Sequence, residues 1–200
     1  MKLRIFDTLR RTARWIVRFR KRKGYGVHSP FAFGLITGVV YEKGIYYAYS
    51  NIDKAYRENV HSSNTWRLKD YKLLFRLANF QHPKNGWIVG PNAHNLLEKV
   101  LSLGCQSCIY ETTRDEDAPS RAQYDLIVAT EGWENRSKKW LNYLHDGGML
   151  IVKGVGRKQR AAWLQLLEQP EAQVAFNLYD FGIVFFHSNL QRQHYVVNYW

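Results

Sequence analysis

From residue 87 onward the apolar positions fall into two alternating patterns. Short, nearly unbroken apolar runs occur at Trp87–Val89, Ser107–Glu111, Asp125–Ala129 and Met149–Val152. Between them lie stretches with apolar residues at helical spacing: Ala93–Leu103, Glu134–Leu144 and Arg157–Glu168. In the first of these, Leu96, Leu97, Val100 and Leu101 make one face. A run such as Leu126-Ile127-Val128-Ala129 fits a strand buried on both faces. The alternation predicts an α/β domain with a mostly parallel sheet and right-handed crossovers. Val174–Leu178 and Ile183–Phe186 read as an antiparallel hairpin, and His194–Tyr199 as a last short strand.

The first third of the chain is helical in pattern. Ser29-Pro30 is a helix start, a hydroxyl cap followed by proline where its missing N–H costs nothing. That helix is expected to run to about Tyr41. Ile52–Val60 and Leu68–Phe80 follow as helices, and His82-Pro83-Lys84-Asn85-Gly86 is a turn. Only residues 112 to 123 separate the strand ending at Glu111 from the one starting near Asp125. A parallel crossover needs about a dozen residues. No further helix–strand–helix fits there, so the sheet is expected to lack one edge strand.

Charge divides the chain in two. Residues 2 to 23 hold ten basic residues and one acid, which is +9 of the total +12. Residues 3 to 20 form an amphipathic pattern, with Ile5, Phe6, Leu9, Ala13, Ile16 and Val17 near one face and arginines elsewhere. The expected organisation is a basic arm over 1–23 and a domain over 24–200, with a helical cover at 24–86 and a core at 87–200. The arm suits an anionic membrane surface. It suits nucleic acid less well, and a helix docked on the domain is the third reading. No apolar run reaches the roughly 18 residues of a membrane span, nor the about 7–15 of a secretory signal. A cytoplasmic protein, peripheral at a membrane, is the expectation. An Arg-rich, acid-poor start is also the composition of an organelle transit peptide. Cys105 and Cys108 have no second pair with which to close a zinc site, and read as buried thiols.

The chemistry-bearing stretch begins at Gly90. A strand breaks there, Pro91-Asn92-Ala93-His94 follows, and a helix opens. A nucleotide-type site needs this order, with a glycine loop facing the ligand and an acid ending the next strand, here Glu111. Only one glycine stands in the loop. Asn92 is either a ligand contact or the helix cap. His28 and His94 are candidate bases, since imidazole titrates near neutral pH. Each has a plainer role, ordering a turn or occupying a former glycine position.

With these residues in place the chain resembles a class I S-adenosylmethionine-dependent methyltransferase. It is most similar to bacterial members with a lead-in matched here by Gly24-Tyr25-Gly26-Val27-His28-Ser29-Pro30-Phe31-Ala32-Phe33. Phe181-Gly182-Ile183-Val184-Phe185-Phe186 and His194-Tyr195-Val196-Val197 match the end of that group. The resemblance implies a Rossmann-like methyltransferase fold and S-adenosylmethionine as cofactor. It places cofactor contacts at Gly90, Asn92 and Glu111, with Thr130 and Glu131 competing for a fourth-strand acid position. It puts Trp87 where an acid usually stands and His94 at a second glycine. The metal-dependent members carry paired aspartates where this chain has Lys153-Gly154. An ammonium there repels a divalent ion, so no metal is expected. The implied activity is methyl transfer with cofactor binding weak or lost. The alternative is a non-catalytic binding or scaffold protein on the same fold.

Overall fold

The computed structural model describes residues 24–59, 66–114, 119–156 and 158–199. The expectations for the basic arm, and for the punctuation at Ser62-Ser63-Asn64, fall outside these residues. Ser29 caps helix α1, Pro30–Leu35, by accepting the Ala32 N–H at 3.3 Å. The helix continues as a π-helical turn, Ile36–Val40. Helices α2, Tyr49–Glu58, and α3, Leu68–Gln81, complete the cover. Next come β1, Asn85–Val89, α4, Asn95–Gly104, β2, Ile109–Thr113, and β3, Tyr124–Ala129. A 3-10 turn, Trp133–Asn135, and α5, Ser137–Leu141, lead into β4, Leu144–Lys153. Helix α6, Arg160–Leu167, precedes β5, Val174–Asn177, β6, Phe181–Phe186, and β7, Gln193–Val196.

The seven strands form one sheet in the order β2-β1-β3-β4-β6-β5-β7. The pairs β1–β2, β1–β3 and β3–β4 are parallel, as the apolar runs predict. β6 is antiparallel to both β4 and β5, and β7 runs parallel to β5. Among the described residues no strand lies outside β2, so the short link after it leaves β2 as an edge. Alternate residues of each strand serve two cores. Ile88, Leu126, Val128, Met149 and Ile151 pack with the cover helices and α4. Trp87, Val89, Ile127, Leu150 and Val152 pack with Trp133, Trp140 and Trp163 on the other face. No helix among the described residues is long and apolar enough to cross a membrane.

Two boundaries depart from the sequence pattern. The helix expected over Glu134–Leu144 is a 3-10 turn and one short helix, because β4 starts at Leu144 instead of Met149. Asp146-Gly147-Gly148, just beyond the expected end of that helix, is an irregularity inside the strand. The β3–β4 register jumps between Tyr124↔Leu144 and Leu126↔Met149, and Gly147 adopts φ +88°. β4 takes five residue steps there against two on β3, so three extra residues are accommodated, and glycine permits the positive φ at one of them. Secondly, β2 runs to Thr113, so Glu111 stands mid-strand opposite Trp87.

Candidate functional site at the carboxyl ends of the strands

In an open α/β sheet a ligand lies beyond the carboxyl ends of the central strands. Here those ends carry the Gly90–His94 loop, Thr130-Glu131 and Lys153, under the start of α3. Gly90 has φ +119°, and a Cβ on it would meet Thr130 Oγ1 at 2.3 Å. The close approach that requires glycine is therefore to Thr130. Gly90 N–H donates to the Thr113 carbonyl at 3.1 Å, and Ala93 N–H to the Gly90 carbonyl at 3.0 Å. Asn92 N–H donates to Thr130 Oγ1 at 3.3 Å, and its side-chain amide to Glu131 Oε2 at 2.7 Å. Thr130 itself is fully buried. The helix begins at Asn95 with His94 at the cap position, so Asn92 ties the loop to the β3 end and caps nothing.

His94 is half-buried and its Nε2 lies 3.4 Å from the Tyr71 hydroxyl. Burial lowers its pKa, and the Glu131 carboxylate only partly opposes this. The imidazole is thus held neutral, the form that can accept a proton. The other base candidate, His28, is exposed on the turn before α1 and is not brought to this loop.

Glu111, the expected ribose contact, is turned to its own chain. Its carboxylate accepts from Ser120 N–H at 2.9 Å, Ser120 Oγ at 2.6 Å and the Tyr124 hydroxyl at 2.5 Å. Burial alone would raise its pKa, but the bonds from Ser120 and Tyr124 bring it below the usual carboxylate value. Trp87 does not fill a ligand groove. It is buried in the second core, stacked on Tyr124, with its indole N–H donated to Thr113 Oγ1 at 2.9 Å.

Beside the loop lies an ion cluster around the fully buried Asp70, which the sequence reading missed apart from Lys153. Lys153 Nζ is 3.6 Å from Asp70 Oδ2 and sits 4.4 Å from the Trp66 ring centroid and 5.2 Å from that of Phe181. Asp70 also accepts from Arg67, through N at 2.9 Å, Nε at 3.2 Å and Nη2 at 3.0 Å. Arg67 Nη2 further contacts Asp180, at the β6 entrance. Desolvation lowers the Lys153 pKa against the pull of Asp70 and Asp180. Asp70, at the third position of α3, accepts the N–H of the N-cap residue Arg67, which is the acidic half of a capping box; the Arg67 guanidinium only donates. Their meeting with Lys153 depends on tertiary packing. Consecutive residues Asp70 and Tyr71 therefore tie the cover to Lys153 and His94.

An adenosyl ligand on this sheet needs loop N–H groups and a free acid for its hydroxyls. The amides of Gly90, Asn92 and Ala93 and the Glu111 carboxylate all have partners within the chain. These residues do not fit the cofactor as they stand.

No protein family and no curated protein sequence matches this chain. Solved structures do match its shape, and the class they define is the class I methyltransferase fold. One is the O-methyltransferase TomG from Streptomyces achromogenes in complex with SAM, with TM-score 0.50 and 14% identity over 72% of this chain and 92% of that one. Another is the SAH-bound Podospora anserina methyltransferase PaMTH1, with TM-score 0.54 and 12% identity over 74% and 91%. A third is cofactor-bound Rv0187 from MTB, with TM-score 0.52 and 12% identity over 74% and 93%. At such identities the likeness is one of fold.

Proposed function

We propose that the chain is a methyltransferase-like protein whose binding of S-adenosylmethionine is weak or lost. The observation that carries this reading is the internal use of the cofactor-facing groups. Asn92 is bonded to Thr130 and Glu131, and Glu111 to Ser120 and Tyr124. A ligand would have to replace those bonds before gaining any of its own. Of the residues assigned by resemblance, Gly90 and Asn92 serve the loop, and Thr130 and Glu131 anchor it. An acceptor with a dissociable proton would find His94 as its base, held beside Tyr71. The Lys153 ammonium disfavours a divalent cation at the same strand ends.

A second reading is a non-catalytic binding or scaffold protein, favoured by the ion cluster. Lys153, Asp70 and Asp180 occupy the space beneath the cover where an acceptor would sit. Equilibrium dialysis with labelled S-adenosylmethionine tests the proposal. The native chain should retain no label at micromolar ligand, and Ser120→Ala with Tyr124→Phe, which removes both hydroxyl donors and leaves Glu111 only the Ser120 N–H, should increase retention. Retention by the native chain at low-micromolar ligand would establish an intact cofactor site instead.

A further inference from the structure

The edge of the sheet farthest from β2 carries a cleft that the proposed function does not use. It has a volume of about 210 Å³ and is lined by Gly24–Val27, Ile36 and His194–Val197. One wall is β7, which among the described residues pairs only with β5 in the sheet. Gln193 and Val197 donate their N–H groups to β5-side carbonyls. Alternate residues of a parallel strand point their peptide groups oppositely, so those of His194 and Val196 face away from β5. The other wall is the Gly24–Val27 turn with Ile36, at the start of the π-helical continuation of α1. Phe33 on that helix remains 46% exposed and Tyr25 at the cleft mouth 82% exposed.

The described chain enters at this cleft. Gly24 lies against α1, where a Cβ would meet the Phe33 ring at 2.9 Å and Thr37 Cγ2 at 3.7 Å. The turn is closed by Val27 N–H donating to the Gly24 carbonyl at 3.0 Å, and Gly24 and Gly26 both have positive φ. Gly24, the first described residue, therefore stands beside Phe33 and the β7 edge. The sequence of residues 1–23 supplies an apolar stripe, Ile5, Phe6, Leu9, Ala13, Ile16 and Val17. At 1.5 Å per residue a helix over residues 3–20 would run about 27 Å, enough to span either wall.

We propose that the cleft between α1 and β7 is the docking site of the chain's own residues 1–23. The apolar stripe packs on Val27, Phe33 and Val196, and the arginines face water. Sheet edges are commonly covered by a helix, which blocks pairing with other chains. The arrangement also accounts for an arm that is apolar on one side and strongly basic on the other.

Hydrogen exchange of the full-length protein, read by peptide mass spectrometry, tests this. In the native chain, peptides within residues 1–23 should exchange at least about tenfold more slowly than a free peptide. Peptides over 193–197 should be protected as well. The triple change Ile5→Asp, Leu9→Asp, Ile16→Asp leaves every described residue intact. It should remove the protection of both segments while peptides over β3 and β4 keep theirs. A second variant, Phe33→Lys, repels the arm from the opposite wall and should release the same two segments. Unprotected arm peptides in the native chain would overturn the proposal. So would protection that appears only with anionic phosphatidylserine vesicles, which assigns the stripe to a membrane. Protection that vanishes on dilution would assign it to a second copy and overturn it equally.

Discussion

Replacing Lys153 by methionine removes a buried charge while keeping most of the stem that lies on Trp66 and Phe181. The attraction lost can be bounded. Two unit charges 3.6 Å apart interact by about 4–5 kcal/mol at an effective dielectric constant of about 20. Burying the ammonium costs several kcal/mol, of similar size. Asp70 is not orphaned by the change, because Arg67 still donates to it through N, Nε and Nη2. Lys153→Met should therefore leave stability within about 1 kcal/mol of the native protein. Asp70→Asn is the opposite case. It takes from the largely buried Lys153 its nearest carboxylate and weakens the bonds that Asp70 accepts from Arg67 at the start of α3, so it should cost about 3–5 kcal/mol. Urea denaturation followed by tryptophan fluorescence measures both, with equal m-values as the check on two-state behaviour. A loss above about 3 kcal/mol for Lys153→Met, or below about 1 for Asp70→Asn, would refute this balance.

Gly90→Ala should cost at least about 2 kcal/mol, from the left-handed backbone and the 2.3 Å approach to Thr130 Oγ1. Adding Thr130→Ala should recover part of that loss in the same denaturation assay. At the other end of the sheet, Asp125 accepts from His145 and from the Lys84 and Asn85 amides. Asp125 would be raised by burial, but its bonds from His145 and the amides hold it below 3.8. His145 would be lowered by burial, but Asp125 raises it above 6.5. The histidine's contribution is complete below its unfolded pKa and is lost as pH rises through its higher folded value. The aspartate's is present above its unfolded pKa and is lost as pH falls through its lower folded value. His145→Gln should therefore remove a decline in Tm on the alkaline side of about pH 6.5, and an unchanged Tm profile would count against the pair. Burial pushes the Cys108 thiol up to about 11. Maleimide should label neither buried cysteine in the native protein at about pH 8, and both after unfolding; labelling of the folded protein would contradict their burial.

The strand order was legible because each central strand is an uninterrupted apolar run, and only a doubly covered sheet needs such runs. The missing neighbour of β2 followed from counting residues between Glu111 and Asp125. Local irregularity was not legible. Gly147 follows the expected Glu134–Leu144 helix, and only the β3–β4 register places it in an irregularity within one long strand. At the candidate site, the sequence pointed to Gly90, Asn92, Glu111, Thr130 and Glu131 one at a time. It gave no sign that Asn92 bonds to both Thr130 and Glu131, or that Ser120 and Tyr124 take up Glu111. Trp87 was read against a ligand because strand periodicity has two faces, and nothing local says which one meets the second core. The partner of Lys153 was hidden for a similar reason. Asp70 lies far from it in sequence and is, locally, only an acid in the first turn of a helix.

The central claim is that the cofactor-facing groups are satisfied within the chain, and calorimetric titration of the unmodified full-length protein with S-adenosylmethionine addresses it directly. Micromolar affinity requires about 8 kcal/mol. A single charged hydrogen bond supplies only about 1.5–3 kcal/mol, and here Glu111 would first give up Ser120 and Tyr124. The account predicts no binding heat, or a Kd no tighter than about 100 μM. A low-micromolar Kd that disappears in Glu111→Ala would contradict it and identify an intact methyltransferase site.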